Sequence, residues 1–132
     1  MSTEYVIVVT GSIVSEYYPE LKRILISVQK RSAPYVIEGM FAEFGEVADG
    51  LFSALLDDHL GLFFSLIEVS ETNGDFRWGW EGYGYAESFL QDVLQLFDLF
   101  GLQNLKGEVY GDEEIYRCIV TADSIDCEYV ER

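Results

Sequence analysis

The chain has 132 residues, 49% of them hydrophobic and 15% aromatic, with two cysteines and a formal net charge of -16. That is enough apolar material to fold as one domain, and the aromatic content sets it apart from a disordered acidic tail. The excess of negative charge disfavours nucleic acid and anionic membrane as direct ligands, and no apolar run reaches the roughly eighteen residues a membrane-spanning helix requires.

The charge is uneven. Residues 1–45 hold five acids and four bases, whereas residues 46–132 hold nineteen acids and four bases. The start Met1-Ser2-Thr3-Glu4-Tyr5 lacks the basic region of a secretory leader, and two cysteines make no disulfide framework. The expectation is a cytoplasmic protein with reduced thiols.

In chain order, residues 5–14 (YVIVVTGSIV) are a nearly continuous β-branched run, the pattern of a central strand covered on both faces. Pro19 followed by Leu21, Ile24, Leu25 and Val28 predicts a helix with proline in its first turn, against the strand propensity of residues 23–28. Residues 35–44 read as a strand with a bulge at Gly39. Residues 46–59 read as a helix, with Val47, Leu51, Phe52, Leu55 and Leu56 on one side and Glu46, Asp49, Ser53 and Asp57 on the other. Strands over 62–69 and 76–85 follow, joined through Asn73-Gly74, a hairpin signal because both residues tolerate positive φ.

Across 86–100, Ala86, Phe89, Leu90, Val93, Leu94, Leu96, Phe97 and Phe100 recur at helical spacing and make a broad apolar face, with Gly101 as the stop. Residues 105–110, 115–121 and 125–130 then predict an antiparallel meander turning at Gly111-Asp112 and Asp123-Ser124. A faint repeat runs through this order. A helix, Glu68-Val69, a turn and Arg77 are echoed by a helix, Glu108-Val109, a turn and Arg117. The expected fold class is α+β: a single compact domain, mainly antiparallel sheet packed by two or three amphipathic helices, with two α-β-β units as its simplest plan.

Catalytic signatures are weak. His59, beside Asp57 and Asp58, reads as a helix-end cation and not as a general base. No nucleophile elbow surrounds a serine or cysteine, and Gly79, Gly82 and Gly84 lack the spacing of a phosphate loop. Cys118 and Cys127 lack companion ligands; the turn near Asp123 puts them on the strand faces of Val120, Ile125 and Tyr129, as small core side chains. The acid clusters have no EF-hand order. No enzyme activity, metal or cofactor is expected.

What stands out is acidity where folding would not choose it. Asp57, Asp58 and Asp98 fall in last helical turns, where each opposes the macrodipole by about 0.3–1 kcal/mol. In the meander, Glu108, Asp112, Glu113, Glu114, Asp123, Asp126, Glu128 and Glu131 face only Arg117. Solubility is the plain explanation of such a surface. The reading favoured here is a binding surface made of Asp57, Asp98, Glu108, Asp112, Glu113, Glu114, Asp123, Asp126 and Glu128, with Trp78 and Trp80 as apolar anchors. Its partner would be a basic protein such as a nuclease, toxin or DNA-binding protein, whose polyanion groove the carboxylates cover. Immunity and phage anti-defence proteins share that logic, as an analogy of class. A competing reading is a small-ligand or housekeeping module with an aromatic pocket at Trp78, Trp80, Tyr83 and Tyr85. The strip Lys22, Arg23, Lys30 and Arg31 would serve a homodimer by meeting the acidic half of a second copy.

Overall fold

The β-branched run near the start forms strand β1 (Tyr5–Ser12), and a computed structural model describes residues 4–14, 16–29 and 64–132 of the chain. Ile7 and Val9 are fully buried on one face of β1; on the other, Val8 is buried while Val6 is exposed. The strand is therefore covered fully on one side and in part on the other.

Helix α1 (Tyr18–Gln29) follows, with Pro19 in its first turn and Leu21 and Leu25 buried. Strands β2 (Phe64–Thr72) and β3 (Asp75–Gly82) make a hairpin whose turn residues Asn73 and Gly74 have φ of 53° and 83°. Positive φ at both positions gives the turn the twist that flanking strands need. Helix α2 (Ala86–Leu99) precedes strands β4 (Gln103–Tyr110), β5 (Glu114–Val120) and β6 (Ile125–Glu131). The six strands form one sheet in the order β2-β3-β1-β4-β5-β6, with every neighbouring pair antiparallel. β1 is central, as its composition predicts.

The apolar stripe of α2 is buried throughout, from Ala86 to Phe97 and on to Phe100. The helix ends where the sequence says it must. Gly101 adopts φ of 86°, its N–H donates to the Asp98 carbonyl, and the Leu102 N–H donates to the Phe97 carbonyl. That is the Schellman arrangement, with Phe97 and Leu102 both in the core. α2 lies so close over β4 that a Cβ built on Gly107 would fall 2.3 Å from Leu90 Cδ1. Each fully buried Leu or Phe here contributes about 1.5–3 kcal/mol by leaving water.

Cross-strand pairing sets the two faces of the sheet. Val9 stands opposite Trp78 and Ile7 opposite Trp80, so both indoles point to the α2 side. The Trp78 ring meets Phe97 edge-on at 5.8 Å and the Trp80 ring meets Phe89 at 5.3 Å. A hydrogen-bonded chain links α1 to this core. Trp78 Nε1–H donates to the Tyr18 hydroxyl at 3.0 Å, Tyr18 donates to Glu71 Oε1 at 3.2 Å, and Lys22 Nζ donates to the same oxygen at 2.6 Å. Burial, reinforced by the neighbouring Glu71 charge, pushes the Tyr18 hydroxyl up to about 12.

The repeat survives as chemistry. Arg77 pairs with Glu68 at 3.0 Å and Arg117 with Glu108 at 3.1 Å, each across its own hairpin at a sequence separation of nine. The second pair stands directly opposite, whereas the first is diagonal, because the β2–β3 register sets Arg77 opposite Ser70 and Glu68 opposite Gly79. The order α2-β4-β5 supplies one α-β-β unit. The strand expected over 35–44 and the helix expected over 46–59, with Asp57, Asp58 and His59, lie outside the described residues.

The cysteines depart from expectation. Cys118 and Cys127 stand directly opposite each other on β5 and β6 and are joined as a disulfide, not held as reduced thiols. Cys118 is a core residue as predicted, but Cys127 is exposed. Among the described strands β6 lies at the edge of the sheet, and strand order is a long-range property that local patterning does not carry. No helix among the described residues is long and apolar enough to cross a membrane.

Candidate acidic docking surface

The antiparallel order gathers one end of the sheet from four places in the chain. The start of β1, the first turn of α2, the β4–β5 turn and the end of β6 all meet there. Between them lies a cleft of about 470 Å³. Its walls carry the rings of Tyr5, Tyr116 and Tyr129, and its rim carries Glu87, Asp112, Glu113 and Glu114.

Each wall has a local cause. Tyr116 faces the α2 side of β5, where Gln91 Nε2 donates to its hydroxyl at 2.6 Å. Tyr129 is its cross-strand partner, with the rings 5.0 Å apart. The Tyr129 hydroxyl donates to Glu87 Oε1 at 2.5 Å, and that bond, with burial and the carboxylate charge behind it, pushes the phenol up to about 12. This hydrogen bond ties the edge strand to the helix start. Glu87 also sits in the first turn of α2, where the macrodipole favours a carboxylate.

The turn is tied down by backbone bonds. Gly111 N–H donates to the Glu114 carbonyl and Arg132 N–H to the Glu113 carbonyl, each at 3.0 Å. The Arg132 guanidinium donates to the Gly111 carbonyl and lies 5.7 Å from the centre of the Tyr110 ring. Those bonds leave the Asp112, Glu113 and Glu114 side chains exposed. Glu114 stands directly opposite Glu131, a like-charge pair that costs sheet stability. Among the described residues, none of Glu87, Asp112, Glu113 and Glu114 is in an ion pair.

The acids predicted to act together divide into three groups. Asp112, Glu113 and Glu114 line the cleft. Glu108, Asp126 and Glu128 lie on the face of the sheet away from α2, where Arg117 stands opposite both Glu108 and Glu128. Glu108 is bound to Arg117 and only partly exposed, so it is not a free carboxylate. Asp98 and Asp123 sit at the opposite end, at the close of α2 and in the β5–β6 turn. Asp57 lies outside the described residues.

The aromatic anchors need correction. Trp78 is 0% and Trp80 1% exposed, so neither presents a surface to a partner. Their alternation with Arg77, Gly79 and Glu81 assigns them to the buried face, a signal the sequence does contain. Among the described residues the exposed rings are tyrosines: Tyr85 is 83% and Tyr129 56% exposed. Sequence reasoning missed Glu87 and Tyr129 as partners because they are 42 positions apart. Lys22 and Arg23, from the basic strip assigned to a second copy, are paired within the chain to Glu71 and Glu20. Among the described residues, no group of three or more His, Cys, Asp or Glu side chains is placed to hold a metal ion. No family model, no curated protein and no solved structure matches this chain.

Proposed function

We propose that this is a non-enzymatic acidic binding protein that docks on the cationic, nucleic-acid-binding surface of a partner protein and inhibits it by occupying that surface. The partner class is a nuclease, toxin or DNA-binding protein, and the setting is that of immunity or anti-defence proteins. The observation that carries the reading is the cleft in which Glu87, Asp112, Glu113 and Glu114, without cationic partners among the described residues, ring the tyrosines Tyr5, Tyr116 and Tyr129. Carboxylates steer a cationic surface inward and suppress anionic competitors, while tyrosine rings supply apolar area and accept cations on their faces. Asp126 and Glu128 add exposed carboxylates on the other face of the same edge strand.

The test is calorimetric titration against a panel of basic nucleases and DNA-binding proteins at low and high salt. Binding should weaken steeply with salt, and joint reversal of Asp112, Glu113 and Glu114 to lysine should cost about tenfold or more in affinity without unfolding the chain. Indifference of every cationic protein at low salt would end the proposal.

A further inference from the structure

We propose that the partner is gripped through backbone as well as charge: a cation-rich extended segment adds to the open edge of β6 as a seventh strand. This rests on the docking role just proposed and names how the partner is held.

The open edge follows from hairpin parity. At one end of the β5–β6 pair the Thr121 N–H donates to the Ser124 carbonyl at 2.8 Å, and at the other the Arg132 N–H donates to the Glu113 carbonyl at 3.0 Å. Pairs 121–124 and 113–132 are therefore hydrogen-bonded positions, and in an antiparallel ladder such positions alternate with non-bonded ones. Cys118 and Cys127, with Cα atoms 4.1 Å apart, fall on a non-bonded position, as the count requires. It follows that the N–H and C=O groups of Ile125, Cys127, Tyr129 and Glu131 point away from β5. Among the described residues nothing pairs with them, and β6 is the last strand of the sheet.

Such an edge is a template for another strand unless it is guarded, and lysine or proline is the usual guard. Here the guard is acidic. Asp126 and Glu128 project on the outer face and Glu131 on the other, and all three are exposed. A second copy pairing along this edge would bring like charges together, which disfavours it. A strand bearing Lys or Arg on alternate residues meets the opposite situation: main-chain bonds along the edge, cations beside Asp126 and Glu128, and the exposed Tyr129 ring on the far side. The Cys118–Cys127 bridge holds β6 against β5 while its outer side is engaged.

The experiment uses the full chain and a seven-residue peptide, the length of β6, alternating lysine and valine. Two twins are N-methylated, one at the odd and one at the even residues, so that charge is kept and one row of donors is lost. Amide exchange should slow at Ile125, Cys127, Tyr129 and Glu131 on peptide binding, and the twin methylated on the row facing β6 should bind about tenfold or more weakly. Both twins binding as tightly as the parent, or exchange unchanged at those four amides while binding stays salt-sensitive, would overturn strand addition and leave charge-driven docking standing. Protection of the same amides that rises with protein concentration and needs no peptide would assign the edge to a second copy and overturn the proposal. Failure of every cationic peptide and protein to bind would remove both readings.

Discussion

Replacing Gly107 by alanine tests how closely α2 is pressed onto the sheet. The added Cβ would lie 2.3 Å from Leu90 Cδ1, 3.1 Å from Cγ and 3.2 Å from Cδ2, where carbon atoms normally rest about 3.5–4.0 Å apart. Leu90 is fully buried and cannot swing out to solvent, so its side chain, the helix or the strand must shift. Overpacking of this kind costs about 1–3 kcal/mol. Removing a glycine from a strand returns about 0.5–1 kcal/mol through the unfolded chain, leaving a net loss centred at about 1 kcal/mol and reaching about 2.5 kcal/mol. Urea denaturation should read that loss directly, and melting should read it as a fall of about 4–8 °C. The decisive measurement is the double-mutant cycle. Leu90→Ala alone should cost about 2–5 kcal/mol, but together with Gly107→Ala the two should cost less than their sum by about 1 kcal/mol or more, because the new methyl enters the space Leu90 vacates. If Gly107→Ala is neutral, or the two losses simply add, α2 does not press on β4 as described.

Other outcomes follow from the same contacts. Tyr18→Phe leaves the buried Trp78 Nε1–H without its acceptor and should destabilise by about 1–3 kcal/mol in urea melts; an unchanged midpoint would mean the indole has found another partner. In alkaline titration followed by tyrosinate absorbance, Tyr18 and Tyr129 should ionise last, near 12. Because their folded values lie above the ordinary 10.0, the stability they contribute is complete below 10.0 and disappears as pH rises toward 12. Glu87→Gln should bring Tyr129 down toward the ordinary value and leave Tyr18 in place, and a Tyr129 that fails to move would dissociate it from Glu87. Reducing the Cys118–Cys127 bridge should cost about 2–3 kcal/mol, the loop-closure term for a sequence separation of nine. Equal stability of the protein with and without a thiol reductant would show that the bridge constrains little.

Much of the fold was legible where the controlling forces are local. The eight-residue stripe of α2, the positive-φ turn at Asn73-Gly74 and the stop at Gly101 each follow from side-chain period or backbone chemistry within a few residues. Strand order does not. β6 as an edge strand decides that Cys127 and Tyr129 are exposed, and nothing in its own sequence states which neighbours it will have. The candidate site suffered most from this, since its cleft joins Tyr5, Glu87, the β4–β5 turn and Tyr129 from four distant segments. Trp78 and Trp80 were a different kind of miss. Tryptophan is common both at interfaces and in cores, but the charged residues Arg77 and Glu81 alternating with them mark the face turned to solvent.

The place of β1 has a consequence for dividing the molecule. Within the sheet, the hairpin of residues 64–82 and the meander of residues 103–131 share no main-chain ladder; each is bonded to β1 instead. One eight-residue segment near the amino terminus thus works as the zip between two halves. Cutting the chain in the turn before α1 would separate that zip from what it closes, and supplying it again as a free peptide would turn assembly of the whole into a bimolecular event, set by concentration and open to use as a two-part reporter.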